Sequence, residues 1–155
     1  MEQPTVIIIV GPTASGKTDA AIQLAQHFNT SIISADARQC YIELNIGVAK
    51  PTIQQLATVP HHFINTHHIT ETLNAAVFEQ YAIQKAQEYF NTNQYIIVTG
   101  GTGLYIKAFC EGIDHLPNIP AEIRQALRLQ YAQEGISWLQ NQLHIHDPLF
   151  VKTDD

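Results

Sequence analysis

The stretch that most constrains the fold is residues 5–18, TVIIIVGPTASGKT. Its first six residues are all β-branched, as in a strand buried on both faces of a parallel sheet. They run into Gly11-x-x-x-x-Gly16-Lys17-Thr18, the spacing of a phosphate-binding loop that turns a strand into a helix. In such a turn the loop amides and the N-terminus of the following helix point at an anion. Lys17 adds a cation beside that anion, and the Thr18 hydroxyl is placed to hold Mg2+. The expected diphosphate- or nucleotide-binding set is Gly11, Pro12, Thr13, Ala14, Ser15, Gly16, Lys17 and Thr18.

The rest of the chain agrees with an alternation of strands and helices. Ala21, Leu24, Ala25 and Phe28 fall at helical spacing, and residues 31–34 (SIIS) read as a short strand ending near Asp36. A polar, His-rich stretch follows, broken by Pro51 and Pro60. Residues 75–90 read as a helix with Phe78, Tyr81, Ala82, Ala86 and Tyr89 on one face. Residues 95–99 (YIIVT) read as a buried strand, and residues 100–103 turn it into a helix starting near Leu104. The fold class expected is α/β: a phosphate-loop NTPase-like parallel sheet with flanking helices, three of its strands visible.

After Gly112 the pattern changes. Pro117 and Pro120 bracket a linker, with Pro120 suited to the first position of a helix that runs to about Glu134 and is closed by Gly135. Ile136, Leu139 and Leu143 mark a further helix, and no strand follows. The expected division is therefore an incomplete α/β core over residues 1–113 and a helical segment over residues 114–155. The chain reads as the N-terminal portion of a longer protein.

Composition narrows the setting. The chain is 45% hydrophobic and 14% charged, an ordinary globular balance. Its longest apolar run is far short of the ~20 residues of a membrane helix, and no basic segment precedes it as in a secretory signal. Cys40 and Cys110 have neither metal nor redox spacing, so a cytoplasmic protein with reduced thiols is expected. Eight Lys and Arg against 14 Asp and Glu (net −6) disfavour a dedicated nucleic-acid binder but leave room for a local basic patch. His61-His62 and His67-His68, near Glu71, lack the i, i+4 spacing of a helical zinc site and read as polar surface or packing residues, and His144-x-His146-Asp147 is a similarly weak metal signal. Trp138 reads as core.

The loop alone leaves the chemistry open between hydrolysis, phosphoryl transfer and departure of a diphosphate. A hydrolase or kinase commonly places a carboxylate at the end of a later core strand. Here that strand ends on Thr99, and the nearest acid is Asp36, which could equally be a turn or helix-cap residue.

Five stretches then coincide in order: GPTASGKT, DARQCYIELNIGVAKP (36–51), VPHHFI (59–64), AAVF (75–78) and GGTGLYIKA (100–108). Together they resemble the tRNA dimethylallyltransferases, or isopentenyl-diphosphate:tRNA transferases, over essentially the whole chain. The resemblance implies transfer of a dimethylallyl group from dimethylallyl diphosphate to the exocyclic amine of the adenine next to the tRNA anticodon. It implies that Asp36 is the general base on that amine. Thr13 would lie at the diphosphate or the reacting carbon, Lys17 at the diphosphate, and Thr102 against the tRNA near the transferred group. Asp36, Ala37, Arg38 and Gln39 would meet the target base, flipped out of its stack, and Arg124 would contact tRNA. Dimethylallyl diphosphate, Mg2+ and tRNA are the ligands implied, with no membrane partner.

Two positions depart from the family pattern: Ala37 stands where Ser is usual, and Val48 where Thr is usual. Alternative readings are an adenylate isopentenyltransferase, a small-molecule phosphate-loop kinase, or an inactive diphosphate-binding fragment. Family members are longer, with more tRNA-binding surface and a further arginine at the diphosphate. The full-length protein is expected to be monomeric. The resemblance implies that residues 114–155 are the truncated start of a helical insertion. The truncated chain is therefore expected either to self-associate through Ile123, Leu127, Leu129, Ile136, Leu139 and Leu143 or to have a mobile C-terminal region, and to lack transferase activity on tRNA.

Overall fold

The computed structural model describes residues 3–114 and 119–150. It divides into two compact units, Met1–Asp114 and His115–Asp155.

In the first unit, β1 (Thr5–Val10) leads through the glycine-rich loop into α1 (Lys17–His27), then β2 (Ile32–Ser34). A long connection holds α2 (Ile53–Leu56) and β3 (His61–His62), and α3 (Ala75–Phe90), β4 (Tyr95–Gly100) and α4 (Gly103–Glu111) complete the unit. The strands form one parallel sheet in the order β1-β4-β2-β3. Among the described residues there are four strands, rather than the three visible in the sequence. The fourth, β3, is a two-residue pairing of His61 and His62 with Ile32 and Ile33. Two imidazoles carry no apolar run, so periodicity had nothing to detect.

The two-residue period of the strands sorts the core onto both faces. Ile32 and Ile97 face α1, packing with Ala21, Ile22 and Ala25. Ile33, Ile96 and Val98 face the other side, with Phe78, Ala82 and Ala86 of α3 and Tyr105 and Ala108 of α4. Phe78 and Tyr105 stack with ring centroids 4.5 Å apart, and Phe63 meets Phe78 edge-on at 5.2 Å. Alanines on the inner faces of α1 and α3 let both helices lie close to the sheet. Asn74 caps α3, its side chain accepting from the Val77 amide at 3.0 Å.

The register decides where a ligand could sit. Val10 pairs with Gly100 and Ser34 with Thr99, so β1, β4 and β2 end level with one another. The chain leaves that carboxyl edge three times, into the phosphate loop, into Asp36 and into Thr102. In open α/β sheets this edge is the binding edge.

In the second unit, α5 (Ala121–Glu134) and α6 (Ile136–His146) pack on each other, with Gly135 (φ 78°) between them. Pro120 takes the cap position, one residue before the first helical position expected for it. No residue of either helix is buried, and Trp138 is half-buried rather than core. A pair of helices has too little facing surface to enclose an indole.

Candidate functional site

The phosphate loop has its expected form. Gly16 is left-handed at φ 82°, and Ala14 adopts φ 65° without being glycine, so the loop folds tightly before α1. A Cβ on Gly11 would stand 3.1 Å from Ser15 Oγ. The N-terminus of α1 receives no side-chain cap, which leaves its first-turn amides directed at the cleft. The Lys17 ammonium donates to the Pro12 carbonyl and, at 3.4 Å, to Ser15 Oγ. Both partners are neutral, so the full positive charge stays at the loop. Thr18 is half-buried in the same wall, and its hydroxyl has no hydrogen-bond partner among the described residues.

A cleft of ≈ 360 Å³ runs from this loop to the end of β2, with Thr13, Lys17, Thr18, Asp36 and Gln39 in its lining. Asp36 Oδ1 accepts from the amides of Arg38 (2.9 Å) and Gln39 (3.3 Å), which folds residues 36–39 into a turn. The turn role open to this aspartate from sequence is thus real, and it occupies one carboxylate oxygen. Among the described residues Oδ2 makes no hydrogen bond and remains for a ligand. Arg38 is exposed.

Thr102 stands at the N-cap position of α4, but its hydroxyl does not cap that helix. It accepts from the Ala37 amide at 3.0 Å, while the Thr102 amide donates to the Ala35 carbonyl at 3.1 Å. The α4 start is thereby stitched to the Asp36 turn, and a second uncapped helix N-terminus lies at the sheet edge. Gly100 makes this approach possible: a Cβ there would lie 2.1 Å from the Ala35 carbonyl oxygen. Thr99 ends β4 without a carboxylate, its hydroxyl donating to the Ile9 carbonyl at 3.1 Å.

Gln39 faces inward. Its Oε1 accepts from Ser34 Oγ at 2.9 Å and its Nε2 donates to the Ala49 carbonyl at 2.8 Å. The first unit therefore gathers Gly11 to Thr18, residues 36–39 and Thr102 at one edge, while Arg124 is exposed on α5 in the second unit.

Gln55, Lys50 and His61 also line the cleft, and sequence reasoning gave none of them a role there. Gln55 donates to Asp19 Oδ1 at 2.7 Å and closes a capping box with Thr52, a pairing legible as Thr-x-x-Gln. Lys50 lies in a quoted stretch but received no role. His61 lines the cleft, on the α1 side of the sheet with its register partner Ile32. Its Nδ1–H donates to the Val59 carbonyl at 2.8 Å, and the buried Nε2 has no partner among the described residues. Burial pushes this imidazole below its usual pKa, which favours the neutral ring.

Comparison with known proteins agrees on one family. The model for IPP transferase matches residues 39–154. A tRNA dimethylallyltransferase of Christiangramia forsetii is 45% identical over 150 residues, covering 97% of this chain and 50% of that protein. The tRNA dimethylallyltransferase 1 of Bacteroides thetaiotaomicron is 42% identical over 98% of this chain and 49% of its own length. The crystal structure of the full-length tRNA isopentenylpyrophosphate transferase of Bacillus halodurans superposes with a TM-score of 0.70 at 30% identity, over 99% of this chain and 51% of that one. A eukaryotic dimethylallyltransferase acting on tRNA shares the fold with a TM-score of 0.79 at 23% identity, over 99% of this chain and 38% of that one. The chain thus spans about half the length of the curated relatives it matches, and it belongs to the IPP transferase family.

Proposed function

We propose that this chain carries the prenyl-donor site and the general base of a tRNA dimethylallyltransferase, which prenylates the exocyclic amine of the adenine beside the anticodon. The observation that carries this reading is a single cleft joining a lysine-bearing, uncapped helix N-terminus to Asp36, with Thr99 rather than an acid at the end of β4. A leaving diphosphate needs charge stabilisation and no activated water.

In the reaction the bond between the prenyl C1 and the diphosphate oxygen breaks, and its electron pair leaves with the diphosphate. The α1 amides and Lys17 meet the charge that develops there. The adenine nitrogen forms the new bond to C1, and Oδ2 of Asp36 takes the proton it releases. Oδ1, held by the Arg38 and Gln39 amides, keeps the carboxylate oriented. Thr13, on the exposed loop, lies toward the diphosphate. Thr102 ties the base-side turn to α4, and Ala37, Arg38 and Gln39 form the segment beside the target base, Gln39 through its backbone. Thr18 would hold Mg2+, since its unpartnered cleft hydroxyl is the oxygen donor this hard cation takes; when bound, the ion offsets charge on the departing diphosphate. Arg124, with the rest of the second unit, serves tRNA binding. A cytoplasmic setting fits the free thiols of Cys40 and Cys110, and no described helix is long and apolar enough to cross a membrane.

Labelled dimethylallyl diphosphate tests the reading directly. Label on tRNA supports it; label on AMP or ATP instead would make the protein an adenylate isopentenyltransferase. Asp36→Asn should lower turnover by about 10²–10⁴-fold with diphosphate affinity nearly unchanged, whereas Lys17→Ala should abolish diphosphate binding measured by calorimetry.

A further inference from the structure

We infer that Lys50 is a positioning residue: its ammonium clamps the loop of residues 41–50 and so fixes the Asp36–Gln39 turn for the incoming base. This rests on the transferase reading above.

The geometry accounts for every proton on the ammonium. Lys50 Nζ donates to the Tyr41 carbonyl at 2.6 Å, to Asn65 Oδ1 at 2.6 Å and to Asn45 Oδ1 at 3.3 Å. An ammonium has three N–H donors, so all are committed within the chain. None of the acceptors is a carboxylate. Lys50 lines the cleft as Lys17 does, yet its hydrogens point into the loop, not at the place where a diphosphate would lie.

The neighbouring contacts show what the clamp holds. Ala49, one residue earlier, receives the Gln39 side-chain bond at 2.8 Å, so adjacent residues of the returning loop are tied to positions 39 and 41. Asn65 sits at φ 53°, a left-handed conformation that asparagine tolerates better than most residues. From there its amide donates to the Gln39 carbonyl at 3.0 Å while its side chain accepts from Lys50. The Thr66 and His67 amides donate to the Cys40 carbonyl at 2.8 and 3.0 Å, and Ile42 donates to the His67 carbonyl at 2.9 Å. Lys50 and Asn65 thus join three segments, 39–42, 45–50 and 63–67, at one point. Asp36 needs that fixed point because only two backbone amides orient its carboxylate, and both belong to the turn that leads into the clamp.

The test pairs Lys50→Met with Asn65→Gly, which removes the side-chain acceptor and still allows the left-handed backbone at φ 53°. Amide hydrogen exchange of Ile42, Asn65, Thr66 and His67 should quicken at least about tenfold in each variant, with Ile97 unchanged. In steady-state kinetics the KM for tRNA should rise about tenfold or kcat fall by as much, while the KM for dimethylallyl diphosphate stays within about twofold. The double variant should be little worse than either single one, because both remove the same junction. Additive losses, an equal rise in both KM values, or exchange unchanged around residues 41–67 would overturn the inference. If the wild-type protein transfers no prenyl group, the proposed function fails, and the exchange experiment still decides whether Lys50 is the clamp.

Discussion

Helices α3 and α5 begin from similar amphipathic patterns and end in different surroundings. α3 buries Ala75, Phe78, Ala82 and Ala86 against the sheet and α4. α5 buries nothing, and Leu127 in the middle of its apolar stripe is 44% exposed. Periodicity selects the helix in both cases. What turns a stripe into core is a facing surface, which α3 finds in β4 and which α6 alone does not supply to α5. The side chains differ accordingly, with small alanines where a sheet must be approached and long aliphatics where it need not be.

The largest expected effect probes that contrast directly. Phe78→Ala should cost about 3–5 kcal/mol in denaturant unfolding, the usual range for emptying a buried aromatic site. Leu127→Ala should cost under about 1.5 kcal/mol, because much of its surface is already wet; equal losses would erase the distinction. Next comes Gly100→Ala, expected to cost about 3 kcal/mol because the new methyl meets the Ala35 carbonyl oxygen at 2.1 Å. Gly103→Ala has open space around its Cβ and should be neutral or mildly stabilising, so a similar loss at both positions would discredit the close-approach argument. Asn74→Ala should remove the α3 cap at a cost of about 1 kcal/mol, read from the same unfolding curves.

The smallest effect concerns β3. Burial lowers the pKa of His61 and His62 in the folded chain, so the unfolded chain binds protons more readily. Their contribution is complete above the ordinary histidine value of 6.5 and is lost as pH falls below it. His68, raised by its hydrogen bond to Glu43, acts in the opposite sense from an exposed position. The melting temperature should therefore drop between pH 7.5 and 5.5 by less in a His61→Gln, His62→Gln variant than in the parent. An identical drop would show that β3 does not feel protonation.

Most of the core and the loop could be read from sequence because their signals are local. TVIIIV, YIIVT and the glycine spacing each declare themselves within a few residues, and all three lie where expected. β3 and α2 could not be read so easily, since two and four residues carry no period. At the site, the phosphate loop was legible from spacing alone. The inward turn of Gln39 and the closure of Lys50 on Asn65 were not, because their partners lie 5 to 15 residues away across a loop whose path no propensity specifies. Thr102 was found through a motif, but its bond to the Ala37 amide spans 65 residues and belongs to tertiary structure alone.

The strand order also fixes a sequence of events in time. β4 lies between β1 and β2, and among the described residues it is the only sheet neighbour of β1. β1 therefore waits for residues 95–100 to leave the ribosome before it can make its pairing with β4. At about 5–20 residues per second that wait is on the order of ten seconds. A nascent chain halted short of β4 would carry the whole Gly11–Thr18 motif without the sheet edge that positions it. On the proposed function, diphosphate capture would thus report the moment at which β4 slots between β1 and β2.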